Sequence, residues 1–336
     1  RFFVPTLILY MKKTTLLRMA VCLILVVTAP CYLAVSFPSI FILRAFQGLG
    51  FGAISTICST LAADYLPDAR RGEGIGYYGM GSSAMIALGP ATGIFIMEHF
   101  GFLPTFIASS CGMLLALSCL LTFRSEPKLA ARPPAKINRG FTDIMRGFGN
   151  RIFDPALKLQ AVLLLLFGIC RAAEQSFLPL LAVDQAIKHF SYYYISQTVI
   201  SFFTKYFTGK LYDRRGHTIL IIVGGIGILL SLVVMSYSHT TGGLLIASVF
   251  SGIGMGTLSP TIQTWSLTSV AADRRSVASA VHFNFYDIGI GTGSIILGFV
   301  VTKLGYPLTF RSTCISMILF LIIYIAATIH KKRTAH

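Results

Sequence analysis

The chain has 336 residues, of which 54% are apolar and only 12% are charged, and its formal net charge is +16. A soluble domain carries about 25% charged residues, so this composition excludes an ordinary soluble protein. The basic residues stand in short connections between long apolar runs rather than on one soluble face. We therefore predict no nucleic-acid partner and a chain that crosses a lipid bilayer several times.

A helix that crosses the hydrocarbon core needs about 20 mostly apolar residues. After a stub at 2–10, ten such runs follow in chain order, at 15–36, 39–63, 74–97, 102–123, 158–181, 190–211, 218–237, 243–266, 277–301 and 308–330. The strands of membrane barrels alternate over about ten residues, and these runs are longer and continuous. They predict an all-α integral membrane protein.

The connections between the runs alternate between basic and poorly charged sequences. Because Lys and Arg mark the cytoplasmic side of membrane proteins, we expect a multi-pass protein of the cell membrane (inner or plasma membrane) with a cytoplasmic C-terminus. The longest connection, 124–157, is rich in proline and basic residues. It predicts a cytoplasmic linker between two helical bundles.

A shift of 204 residues aligns much of the first half on the second half without a gap. The segment FQGLGFG at 46–52 falls on FSGIGMG at 250–256, and GFLPTF at 101–106 falls on GYPLTF at 305–310. Such internal similarity predicts a duplication and two similar bundles.

The same shift predicts the domain organisation, because the run at 158–181 has no counterpart before Arg1. We expect the first helix and most of the second helix of the first bundle to be missing from this chain. The predicted parts are an incomplete bundle with helices 2–6 at 1–123, a linker at 124–157, and a bundle with helices 7–12 at 158–336.

Three segments resemble motifs of the major facilitator superfamily. GKLYDRRG (Gly209–Gly216) resembles the signature loop between helices 8 and 9, and RAFQGLGFG (Arg44–Gly52) resembles the helix 4 motif. GMGSSAMIALGPATG (Gly79–Gly93) resembles the helix 5 motif of the drug-exporting branch. The resemblance implies the major-facilitator fold of two six-helix bundles and secondary transport by alternating access.

The resemblance also implies roles for particular residues. The signature loop implies a gating charge cluster at Gly209, Asp213, Arg214, Arg215 and Gly216. The helix 5 motif, with Gly89, Pro90 and Gly93, implies that the substrate is exported. In the first half the signature copy has decayed, with Leu9 where the second half has Asp213. A gating charge cluster on that side is therefore in doubt.

Five of the ionisable residues inside the predicted spans stand out as candidates, namely Arg44, Arg171, Glu174, Lys205 and Asp287. A charge at the centre of a span costs roughly 2.5–3.5 kcal/mol on insertion scales, so such residues usually face a cavity. Arg171 and Glu174 can pair across one helical turn. We expect Glu174 to carry a coupling proton, with Arg171 and Arg44 tuning it; Asp287 is the second candidate. A pair that only lowers the cost of insertion is the alternative, and Lys205 is expected to snorkel to the interface.

Small and aromatic residues supply the remaining candidates. Small residues let helices approach closely in lipid, so we expect tight contacts at two glycine triplets, Gly48, Gly50 and Gly52, and Gly252, Gly254 and Gly256. Pro90 is expected to kink its helix. Adaptable aromatic and methionine side chains suit amphipathic substrates, although packing against lipid is the alternative. The candidate pocket residues are Tyr77, Met80, Asn284 and Tyr286.

The sequence contains no catalytic triad, nucleotide-binding glycine loop or metal-ligand cluster, and its seven cysteines lack a paired spacing. We expect no enzymatic activity, no cofactor and no bound metal. The predicted function is export of small amphipathic organic compounds by proton antiport, with the substrate, protons and the bilayer as partners of a monomer.

Two alternatives stay open at this point. One is transport of an organic anion, such as a metallophore or a sugar acid, which is favoured by the cations Arg44, Arg171 and Lys205. The other is a non-transporting membrane receptor or assembly protein, which is favoured by the decayed signature copy.

Overall fold

The computed structural model describes residues 4–8, 11–31, 36–122 and 154–333, and the regular structure within these ranges is helical. Most of the linker predicted at 124–157 lies outside the described residues, as does Leu9. The first described helices are α1 (Val4–Leu7), α2 (Lys13–Cys31), α3 (Phe37–Tyr65), α4 (Arg71–Phe100) and α5 (Phe102–Thr122).

The second half of the chain is helical in the same way. It contains α6 (Lys158–Ala172), α7 (Leu178–Asp184), α8 (Ser191–Arg215), α9 (Thr218–Tyr237), α10 (Thr241–Thr268) and a last stretch, Arg275–Arg333. Gly305 interrupts this stretch with φ 74° and ψ 172°, so it consists of two helices, α11 (275–304) and α12 (306–333). The ten predicted runs coincide with α2 to α12, with α6 and α7 forming one run. The all-α prediction is confirmed.

Six helical stretches of the described chain are long and apolar enough to cross a membrane, namely Phe37–Tyr65, Phe102–Thr122, Pro155–Asp184, Thr218–Tyr237, Thr241–Thr268 and Ala272–His330. Helix α8 is less apolar than these stretches. In α8 the difference arises from polar side chains such as Gln197 and Lys205, which contact neighbouring helices. Polar groups are tolerated at membrane depth where protein covers them.

The helix bounds follow the 204-residue shift found in the sequence. Helices α3 and α10 each begin after a hydroxyl N-cap, Ser36 and Thr240, whose side chain accepts a hydrogen bond from the backbone N–H three residues later. Helices α4 and α11 each begin after a single 3₁₀ turn. Gly101 and Gly305 have φ values of 89° and 74°, a conformation that glycine adopts without steric cost. The two halves therefore repeat the same local structure.

Contacts among the described residues divide the chain into two compact units. The first unit lies within Arg1–Leu66, Leu88–Asp154 and Val270–Ala280. In it α2 packs against α3 and α5, around a core that contains Val4, Leu16, Leu17 and Ile57.

The second unit lies within Pro67–Ala87, Pro155–Ser269 and Val281–His336. In it α10 packs against both α8 and α9. The core is larger and includes Phe167, Tyr193, Phe310, Phe320 and Tyr324.

One of the two predicted glycine triplets forms the expected close contacts. A Cβ built on Gly252 or Gly256 would lie within 3 Å of α8 atoms, and one built on Gly254 would collide with Ile228 of α9. In the other triplet, a Cβ on Gly50 would lie 2.5 Å from Ile24, whereas no described atom lies within 4 Å of one on Gly48. A residue two positions from Gly50 points to the opposite side of the helix, so a close contact at Gly48 stays a prediction.

A close backbone approach between α6 and α11 in the second unit supports a stability prediction. A Cβ on Gly289 would lie 2.9 Å from the Cα of Gly168 and closer still to the carbonyl oxygen of Leu165. We expect Gly289→Ala to lower the free energy of unfolding by about 1–3 kcal/mol, because backbone must move. Gly291→Ala is the matched control, since its Cβ meets no described atom within 4 Å, and it should be neutral or slightly stabilising. Equal thermal stability of the two purified variants would contradict this packing.

Candidate functional site

A buried carboxylate, Glu174, lies at the centre of a polar cluster in the second unit. Its carboxylate accepts hydrogen bonds from Arg171, from Gln197 Nε2 at 3.1 Å and from Ser251 Oγ at 3.0 Å. The side chain is 1% exposed. Three helices, α6, α8 and α10, thus supply donors to one acid, and the predicted pairing of Arg171 with Glu174 is confirmed.

The backbone around Glu174 forms a π-helical turn, Ala173–Phe177, between α6 and α7. Pro179 follows at the start of α7, and proline clashes with the preceding turn of a regular α-helix. A π turn pairs each carbonyl with the N–H five residues later, and for Glu174 that residue is Pro179, which has no N–H. The hydroxyl of Tyr194 donates to the Glu174 carbonyl at 3.2 Å instead. Such widened turns occur frequently at functional sites.

Arg171 connects this cluster to a less buried region. Its side chain is 17% exposed, and its Nε–H is buried without a hydrogen-bond partner in the described structure. Tyr286 of α11 lies beside it and packs against Phe167, with ring centroids 5.3 Å apart. The guanidinium therefore holds the buried acid on one side and keeps an unused donor on the other.

Lys205 of α8 does not reach the membrane interface as predicted. Its ammonium donates to the carbonyl oxygen of Gly79 at 3.2 Å and to Ser83 Oγ, both on α4. The alkyl stem passes over Gly79, where a Cβ would lie 3.4 Å from Lys205 Cδ. The snorkelling prediction is wrong, because the glycine gives the stem room to turn towards α4.

The signature segment contacts the start of α4. We call this contact the clasp and define it by Gly72 and Glu73 of α4 and by Gly209 and Asp213 of α8. Both oxygens of the Asp213 carboxylate accept hydrogen bonds, from the N–H groups of Gly72 and Glu73, each at 2.8 Å. These N–H groups lie in the first turn of α4, where the helix dipole favours a negative charge. A Cβ on Gly209 would lie 2.6 Å from the Gly72 carbonyl oxygen. The glycine thus brings α8 close enough for Asp213 to cap α4.

The other signature residues lie at the C-terminal end of α8. Gly216 ends the helix with φ 72°, and Arg214 and Arg215 are exposed. The structure therefore assigns Gly209 and Asp213 to the contact with α4, and Arg214 and Arg215 to the surface.

A second charge cluster, in the first unit, was missed by the sequence interpretation. Asp64, at the end of α3, pairs with Lys13 Nζ at 2.6 Å and with Arg275 Nη1 at 3.2 Å. The Asp64 side chain is 3% exposed. A buried charge cluster therefore exists in this unit, although the acid comes from α3 rather than from the position of Leu9.

The candidate pocket residues occupy different environments. The Tyr77 hydroxyl donates to Glu73 Oε1 at 2.9 Å beside the clasp, and Met80 is half-buried on α4. Asn284 is buried on α11 with its Nδ2 unpaired in the described structure. Of the four, only Tyr286 is placed beside Arg171 by the contacts above.

The remaining candidates are Asp287, Arg44 and the residues of the helix 5 motif. Asp287 is exposed on α11. Arg44 is exposed in the first unit, where it donates to Gln47 Oε1 at 3.0 Å, so its predicted tuning of Glu174 stays a prediction. No described atom lies within 4 Å of a Cβ on Gly89 or Gly93, and the side chain of Pro90 lies outside the described part. Helix α4 continues through all three positions.

The chain matches the model of a known protein family over most of its length. The model of the Major Facilitator Superfamily matches residues 12–293 and 198–335. The chain belongs to the major facilitator superfamily. It is therefore a multi-pass membrane transport protein for small molecules rather than an enzyme, and the predicted family is confirmed.

Relatives of this facilitator protein include bacterial drug-resistance proteins. It is 27% identical over 310 residues to "Multidrug resistance protein 1" of Bacillus subtilis (strain 168). The alignment covers 88% of this chain and 74% of the relative. It is 25% identical over 303 residues to "Multidrug resistance protein MdtG" of Salmonella paratyphi B, and this alignment covers 88% of this chain and 72% of the relative.

Solved structures share the fold of this facilitator protein. The human organic anion transporter MFSD10 (TETRAN) superposes with a TM-score of 0.78 at 14% identity, covering 96% of this chain and 79% of that one. The facilitator transporter FucP in the outward conformation gives a TM-score of 0.75 at 13% identity, covering 96% and 85%. At these identities the likeness supports the fold alone.

Proposed function

We propose that this protein is a proton-coupled exporter of small amphipathic organic compounds, which works by alternating access of two helical bundles. Within this proposal the bundles are 1–123 and 158–336, joined by the linker at 124–157. The protein acts as a monomer in the cell membrane with its C-terminus in the cytoplasm. The names of its multidrug-resistance relatives support export.

The observation that carries the proposal is the buried Glu174 carboxylate and its pairing with the Arg171 guanidinium. It lies 16 residues after Lys158 and 10 residues before Asp184, about 24 Å and 15 Å from the two ends of the α6–α7 stretch. It is therefore well inside a hydrocarbon core of about 30 Å. Carboxylates at such depth are costly and typically belong to proton or substrate pathways. An acid that loses its cation at this depth becomes neutral by taking a proton.

Movement of Arg171 gives this acid a way to exchange protons. While Arg171 pairs with Glu174, the guanidinium offsets the charge of the carboxylate. When Arg171 turns towards the less buried side, Glu174 takes up a proton and the released guanidinium occupies space beside Tyr286. A substrate that needs this space binds best when Arg171 is held back, so substrate and proton alternate. Among the described residues, the charged and titratable groups that interact with this acid include Arg171, Tyr193, Tyr194, Tyr286 and Cys170.

Transport in everted vesicles tests the proposed function. Vesicles that contain the full-length protein are given an acidic interior, and a panel of cationic, neutral and anionic amphipathic compounds is added. We expect at least one compound to dissipate the pH gradient and to accumulate inside, and vesicles without the protein should respond to none. Accumulation that persists after an ionophore removes the gradient would contradict proton coupling.

A further inference from the structure

Lys205 is a cation inside the second unit that the proton-coupling cluster does not use. It lies ten residues before the end of α8 at Arg215, and its acceptor Ser83 lies twelve residues after the start of α4 at Arg71. These separations correspond to about 15 Å and 18 Å along the two helices. The ammonium therefore lies near the middle of the membrane, at the depth where transporter substrate sites are found.

The partners of Lys205 are neutral. Its ammonium donates to a backbone carbonyl and a hydroxyl, and within the described residues it forms no ion pair. An ammonium has three donors, so two known acceptors leave one N–H for another oxygen. Gly79 and Ser83 hold the charge in place without neutralising it.

The surrounding charges add to the positive potential. Lys205 and Arg171 are close enough for their like charges to interact, and Glu174 offsets only one of the two. Asp287 lies on α11 and is exposed. Lys205, Arg171 and Glu174 together thus carry one net positive charge.

We propose that Lys205 sets the charge selectivity of the substrate site: it rejects organic cations and donates a hydrogen bond to an oxygen acceptor on the transported compound. The inference rests on the proposed transport of amphipathic compounds and narrows their class to molecules with a carbonyl, hydroxyl or carboxylate oxygen and no positive charge. A second positive charge brought near Lys205 meets Coulomb repulsion that water screens weakly at this depth. An oxygen acceptor instead uses the third ammonium donor.

Equilibrium binding tests this selectivity without requiring transport. The probes are three radiolabelled naphthalene derivatives that differ only in their polar group, which is a carboxamide, a carboxylate or a methylammonium. We expect the purified full-length protein to bind the carboxamide and the carboxylate at least about 10-fold more tightly than the methylammonium. Lys205→Gln should reduce this ratio by about 10-fold or more.

Two further variants separate selectivity from folding. Lys205→Arg keeps the charge and should keep the exclusion of the cation, while Lys303→Gln removes an exposed lysine and should bind like the wild type. Tight binding of the methylammonium by the wild type or by Lys205→Arg would overturn the inference, as would an unchanged ratio in Lys205→Gln or no binding of any probe. Selective binding without gradient-driven transport would instead contradict the proposed function and leave this inference standing.

Discussion

Replacing Glu174 with glutamine is expected to reduce gradient-driven transport to the level of protein-free vesicles. Glutamine has nearly the same shape, and its amide oxygen can still accept from Gln197 or Ser251, but it cannot carry a proton. The measurement is the accumulation of a compound in everted vesicles with an acidic interior. Exchange of the same compound across a membrane without a pH gradient should continue, because substrate binding and the change of access remain possible.

A control variant separates loss of coupling from loss of one acid. Asp184→Asn makes the same chemical change at the exposed end of α7, and we expect transport like that of the wild type. Both variants should be obtained as monodisperse protein in detergent. Gradient-driven accumulation by Glu174→Gln at the wild-type rate would show that another group carries the proton.

Replacing Arg171 with methionine is expected to lower the free energy of unfolding by about 3–5 kcal/mol, the cost of leaving a buried charge without its partner. The two side chains of the pair differ in exposure, and we therefore expect Glu174→Gln to lower the free energy of unfolding by less. The acid side chain is 1% exposed and the arginine side chain 17%, so an orphaned arginine reaches water more easily than an orphaned carboxylate. Thermal or detergent unfolding of the two purified variants makes this comparison.

The loss in Arg171→Met should depend on pH and on the acid. At acidic pH the orphaned carboxyl takes a proton and the unpaired charge disappears, so the variant should be most stable there and lose stability as pH rises. The double variant Arg171→Met with Glu174→Gln should recover most of the loss at neutral pH, because no buried charge remains. A pH-independent loss, or a double variant as unstable as Arg171→Met, would show that packing rather than charge determines the effect.

The sequence predicted those features of the fold that depend on local or repeated patterns. The run lengths gave the helices, and the 204-residue shift explains why the hydroxyl caps Ser36 and Thr240 and the helix-breaking glycines Gly101 and Gly305 occupy matching positions. The pairing of Arg171 with Glu174 was predictable because residues three apart on a helix are neighbours.

The partners of the site came from distant parts of the chain and were not predictable in the same way. Gln197 and Ser251 lie 23 and 77 residues from Glu174, and nothing in their spacing links them to the acid. One feature of the sequence could have predicted part of the site. Pro179 follows an intramembrane acid closely, and a proline at such a position predicts a disturbed helical turn. Lys205 was misjudged because it lies near the end of the run predicted at 190–211, where snorkelling is the default for a lysine. The helix continues to Arg215, and the room that Gly79 provides appears only in three dimensions.

The central claim is that one acid, Glu174, links protons to the transported compound, and the pH dependence of substrate binding tests it most directly. Linkage requires that a proton which weakens substrate binding is itself bound more weakly when substrate is present. The measurement is the affinity of the purified full-length protein for a compound identified in the vesicle assay, at pH values from acidic to alkaline. We predict that affinity rises with pH in the wild type and is independent of pH in Glu174→Gln. The same pH dependence in both proteins would contradict the account.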